Sequence, residues 1–71
     1  MRDYDAMANE IRKMPREDRP PVISTKVAAR LGSWSDKFVR DRIEDGSIAG
    51  IKVGRSWRVY TDPFFEMLGI D

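Results

Sequence analysis

Apolar residues near the start of the chain, Tyr4, Met7, Ala8, Ile11 and Met14, recur at the three- and four-residue steps of one helical face. That spacing predicts an amphipathic helix over about residues 3–14, with Asp3 as its cap and Pro15 as its end. Pro20 and Pro21 then close a charged linker and hold the chain extended into Val22 and Ile23. Ser24 suits a second helix start, since its hydroxyl can accept a free first-turn amide. Val27, Ala28 and Leu31 form its inward stripe, and small Ala28 and Ala29 permit close approach of a partner helix. Gly32-Ser33-Trp34 breaks the pattern, and Ser35 can cap a third helix. That helix turns Val39 and Ile43 inward, shows Asp36, Lys37, Arg40, Asp41 and Glu44 outward, and stops at Gly46.

Beyond Gly46 the period changes to two. Ile51 and Val53 alternate with Lys52, and Trp57 and Val59 alternate with Arg58, with Gly54 as the turn residue of a β-hairpin. If Val53 and Trp57 both face the core, they pair across a three-residue loop, Gly54-Arg55-Ser56, which sets Lys52 opposite Arg58 on the outer face. Like charges so placed oppose pairing unless an anion lies over them. A last helix starts at Thr61 or Asp62, with Pro63 in its first turn, and ends at Gly69. Phe64, Phe65 and Leu68 supply its bulk, and so short a helix is expected to bury only one of the two phenylalanines and leave the other for a partner.

Seventy-one residues make one small domain with a modest core. With no cysteine and no histidine, the chain offers no disulfide framework, cysteine-ligated zinc or histidine acid–base chemistry, so no enzyme, metal, cofactor or small-molecule substrate is expected. No run approaches the roughly 20 apolar residues of a membrane span and no signal peptide is visible, so a cytoplasmic protein without membrane contact is expected. The net charge of +1 hides an uneven distribution. Residues 21–60 carry eight basic side chains against four acidic, between a head that balances five of each (Arg2 among them) and a tail with only Asp62, Glu66 and Asp71. A basic stripe over paired helices is the footprint expected of a nucleic-acid binder.

Helix, turn, helix, hairpin and closing helix together describe a mostly α protein with a small β-hairpin, a winged helix-turn-helix. From Ser24 to Leu68 the chain resembles the phage excisionase family, small MerR-like DNA-binding domains that direct site-specific recombination. The resemblance rests on Ala28-Ala29, on Leu31-Gly32-Ser33-Trp34-Ser35, on Val39 and Ile43, on Gly46-Ser47-Ile48-Ala49-Gly50, and above all on the wing Lys52-Val53-Gly54-Arg55-Ser56-Trp57-Arg58-Val59. The chain departs from the family pattern in placing glycine one position early, at Gly32, which leaves Ser33 at the usual glycine of the turn. Val27 replaces a common glutamate, and Arg42 fills an often apolar position. The division expected is residues 1–21 as N-terminal helix and proline-rich linker and 22–71 as the DNA-binding domain.

Within that frame Ser35, Lys37 and Arg40 belong to the recognition helix, whose N-terminal part meets the major groove, where arginine and lysine pair with guanine. Lys52, Arg55, Ser56 and Arg58 form the wing, with Arg55 at its tip reaching a minor groove. Thr25 and Lys26 open the first helix of the pair, whose N-terminus suits a phosphate, while Ser24 serves as cap or phosphate ligand. Arg42 is expected to pack its stem and turn its head to a phosphate. Trp34 covers the gap between the helices, and Trp57 belongs to the core. The head helix either packs over the core or contacts a second copy or partner. The resemblance implies a recombination directionality factor in a bacterial or phage-infected host cell. Such a factor binds and bends double-stranded attachment-site DNA as side-by-side copies and biases a tyrosine or serine integrase toward excision. The alternatives are a small phage or bacterial transcriptional regulator on the same fold, and a protein-interaction module whose basic face meets an acidic protein.

Overall fold

Asp3 opens the first helix by accepting the Ala6 amide at 3.0 Å, and the computed structural model describes the chain from there to Ile70. Arg2 and Asp71, counted above in the basic head and acidic tail, lie outside the described residues. Helix α1 spans Tyr4–Lys13 and stops at Met14, where Pro15 bars a further turn. Ala8 and Ile11 on its apolar stripe are buried against α2, Thr25–Gly32. Arg12 donates to the Leu31 carbonyl at 3.1 Å, serving a helix end whose last carbonyls lack partners within the helix. An exposed pair, Arg30 with Asp5 at 3.3 Å, joins the same two helices. The head helix is therefore packed over the core.

Helix α2 is the most enclosed element, with Thr25, Val27, Ala28, Ala29 and Leu31 all buried. Ser24 caps it by accepting the Val27 amide at 3.2 Å, and Ser35 caps α3, Asp36–Glu44, by accepting the Phe38 amide at 3.0 Å. Val39 and Ile43 face inward as their spacing requires, and Gly46 follows the helix with φ of 89°. At the end of α3, Asp45 is held below the usual carboxylate range by hydrogen bonds from the Ser47 side chain and amide, and by Arg42, whose Nη2 lies 3.0 Å away. The head of Arg42 pairs with Asp45, and its guanidinium lies 5.4 Å from the Phe38 ring.

The turn between α2 and α3 explains the displaced glycine. A Cβ on Gly32 would stand 2.5 Å from Cε3 of Trp34, so the indole lies on Gly32 where no side chain fits. Trp34 fills the gap between the helices, 5.1 Å from the Phe38 ring and 6.2 Å from Phe64. The left-handed C-cap conformation then falls on Ser33, at φ 58° and ψ 37°. A left-handed residue with a Cβ costs roughly 1–2 kcal/mol, and glycine's extra chain entropy returns part of that on substitution. Ser33→Gly is expected to stabilise the protein by about 0.5–1 kcal/mol, read as a higher urea midpoint at unchanged slope. An unchanged or lower midpoint contradicts this account of the turn.

Four helices and a three-stranded antiparallel sheet in the order β1-β3-β2 make up the described residues. The strands are β1, Val22–Ser24, β2, Gly50–Val53, and β3, Ser56–Tyr60. The extended segment after the prolines is thus a third strand that periodicity alone did not reveal. Ile23 faces Val59 on the inner side of the sheet, both buried. The hairpin register differs from the one expected: Val53 pairs with Ser56 across the two-residue loop Gly54-Arg55, and Lys52 pairs with Trp57. Gly54 has φ of 62° and Arg55 does not have positive φ, the pattern of a type II′ turn with glycine first. Trp57 and Val59 keep the inner face, but Ile51 and Val53 turn outward beside Arg58, 42% and 60% exposed.

Helix α4, Thr61–Leu68, follows β3 directly, with Tyr60 in the cap position and no side-chain cap, so neither Thr61 nor Asp62 plays that part. Gly69 ends it in a left-handed conformation, as expected. Both phenylalanines are buried, at 1% exposure each, which overturns the expectation of one free ring. Phe64 meets Trp34 on one side of α4, and on the other the buried Arg19 sets its guanidinium 4.3 Å over Phe65. The linker after α1, turned by a short 3₁₀ segment at Arg16–Asp18, returns over α4 and closes the second side. No helix among the described residues is long and apolar enough to cross a membrane.

Candidate nucleic-acid interface

Because β1 reaches only Arg58 on β3, the first two residues of β3, Ser56 and Trp57, extend past its end. The start of α2 and the start of α3 lie beside this uncovered edge, and the three together enclose an open groove of about 570 Å³. Five cationic side chains line it: Lys26 from α2, Arg40 from α3, and Lys52, Arg55 and Arg58 from the hairpin. A single carboxylate, that of Asp36, stands among them. Tyr4 and Met7 of α1, with Pro20 and Val22, add an apolar wall.

The residues nominated from the sequence divide on this geometry. Thr25, Lys26, Arg40, Lys52, Arg55, Ser56 and Arg58 line the groove, whereas Ser35 and Lys37 do not. Ser35 is committed to its capping bond, and Lys37 pairs with Asp41 at 2.9 Å on the exposed side of α3. Thr25 is 7% exposed and donates its hydroxyl to Asp36. Its hydroxyl links α2 to α3, so the side chain is engaged within the protein although the residue borders the groove. Lys26 remains exposed, with its ammonium 5.8 Å from the Tyr4 ring centroid.

On the hairpin, Lys52 and Arg58 point to opposite faces instead of facing each other. In this register the two are not set side by side for an anion to lie over both. Lys52 instead sits opposite Trp57, with Nζ 5.4 Å from the ring centroid. Both cations still border the groove, because it wraps around the uncovered edge of β3. Arg55 is exposed at the tip, and the ion pairs among the described residues do not include it. Sequence reasoning missed the wall supplied by α1; its one signal was Tyr4 at the start of the head helix's apolar stripe.

The groove suits an anionic ligand in charge, with five cations against one carboxylate. Among the described residues no group of histidine, cysteine and acidic side chains could hold a metal ion. Comparisons of the chain with family models, curated proteins and solved structures return no significant match.

Proposed function

We propose that this chain is a winged helix-turn-helix protein that binds double-stranded DNA in a sequence-dependent way and acts as an excisionase, or recombination directionality factor. Convergence of five cations from α2, α3 and the hairpin on one groove is the observation that carries the DNA-binding reading. Those cations neutralise phosphates and release counterions, which supplies most of the sequence-independent affinity. Helix α3 has nine residues and presents Asp36 and Arg40 on its groove side. With side chains an α-helix is about 10–12 Å across, which fits a major groove about 12 Å wide. The hairpin tip then reaches toward the neighbouring minor groove, with Arg55 foremost. The excisionase role is supported by the resemblance of the segment Lys52 to Val59 to the wings of that family. In that role side-by-side copies bend an attachment site and bias a tyrosine or serine integrase toward excision.

A library of duplex sites separates reading from anchoring. Arg40→Ala is expected to relax discrimination at one or two base pairs by about 1–3 kcal/mol each, while Lys26→Ala weakens all sequences alike. Uniform loss across the library from both variants contradicts the assignment of α3 as the reading helix.

A further inference from the structure

A carboxylate in a groove that attracts phosphate works against that attraction, so the place of Asp36 needs a reason. Its two oxygens are divided between two elements. Oδ1 accepts the hydroxyl of Thr25 at the start of α2, and Oδ2 lies 3.8 Å from Nε of Arg40, one turn along α3. Thr25 is itself buried, so the carboxylate is tied to the interior and does not swing freely on its own helix. Lys37 and Asp41 have the same four-residue spacing, yet they lie off the groove. That pair is an ordinary surface contact. The Asp36 pair differs in the third residue that fixes its carboxylate, and in having the guanidinium's Nε side turned toward that carboxylate at ion-pair distance, without a hydrogen bond. A guanidinium approached at Nε keeps both terminal amino groups free, and those are the groups that pair with guanine O6 and N7.

We infer that Asp36 is a positioning residue for base readout: pinned by Thr25, it holds Arg40 by its Nε side and presents the two terminal amino groups to a guanine. This rests on the DNA-binding reading above. Asp36 thereby lowers general attraction for phosphate and raises discrimination between sequences, and Thr25 serves the site from the interior without touching DNA.

The test is Asp36→Asn, which keeps the shape and an oxygen acceptor for Thr25, assayed against the site library and against random duplex. Preference for guanine at the position set by Arg40 is expected to fall about 10-fold, within what one bidentate pair supplies. Affinity for random duplex is expected to rise about 2–3-fold, because a repelling charge has left the groove. A purely structural role would lower both. Asp36→Asn combined with Arg40→Ala should discriminate no worse at that position than Arg40→Ala alone. Thr25→Val should repeat the loss of preference and Thr25→Ser should retain it, which tests the same chain of contacts without altering the helix start. Unchanged preference in Asp36→Asn, a uniform loss at all sequences, or additivity with Arg40→Ala overturns the inference and leaves DNA binding standing. Failure of the wild-type protein to bind any duplex overturns both.

Discussion

Phe65→Ala is expected to destabilise the protein by about 3–5 kcal/mol, the usual cost of removing a fully enclosed phenylalanine. Its ring is 1% exposed and lies beneath the Arg19 guanidinium, so truncation opens a cavity and leaves a buried cation without its aromatic partner. At about 0.05–0.15 kcal/mol per residue, a domain of 71 residues has a total stability of about 4–10 kcal/mol. The loss therefore takes most of the available stability. Thermal melting should fall by more than about 12 °C, and the variant should be largely unfolded at 37 °C if the wild type lies at the low end of that range. Phe38→Ala is the control: its ring is 40% exposed, and it should cost no more than about 1 kcal/mol. A Phe65→Ala variant that melts within a few degrees of wild type contradicts the closure of the core by α4 and the returning linker.

What was legible in the sequence was local. Asp3, Ser24 and Ser35 mark helix starts because a cap acts over three residues, and each accepts the amide its position dictates. Gly46 and Gly69 mark helix ends for an equally local reason, positive φ. The features that differ from the local pattern depend on distant partners. The strand β1 is only three residues long and exists through its pairing with Tyr60, Val59 and Arg58, far along the chain. The expected hairpin register requires Val53 to lie inside, whereas exposed apolar residues are common and carry little information. The turn held the better signal, since a glycine in first position followed by one residue suits a type II′ loop. Phe64 and Phe65 point about 100° apart on their helix, and both are enclosed only because Trp34 and Arg19 approach from different sides.

The candidate site divides in the same way. Lys26, Arg40, Lys52, Arg55 and Arg58, each singled out in the sequence, all border the groove, although Lys52 and Arg58 do so from opposite faces of the hairpin. How each is held was not legible in the sequence. The link from Thr25 to Asp36 spans eleven positions and forms only when α2 and α3 cross. Lys37 and Arg40 look equivalent as cations near a helix start, yet Arg40 borders the groove beside Asp36 while Lys37 pairs with Asp41 off it.

The remaining large effect is electrostatic. With four or five phosphates neutralised at about −0.9 each, the log–log dependence of affinity on salt should have a slope near −4. In the proposed binding mode Arg55 contributes one of those contacts from the hairpin tip, where an A·T-rich minor groove would concentrate negative potential. Arg55→Ala should bring the slope to about −3, weaken specific binding several-fold and reduce preference for A·T pairs at the edge of the site. Its melting temperature should not change, because Arg55 is exposed and supports no contact of the core. The most direct measurement is therefore the titration of wild-type protein against duplex DNA from 50 to 200 mM salt. DNA binding through the basic groove predicts an affinity that falls by about 250-fold over that range, the consequence of a slope near −4. Binding that does not change with salt, or no binding at 50 mM, contradicts it.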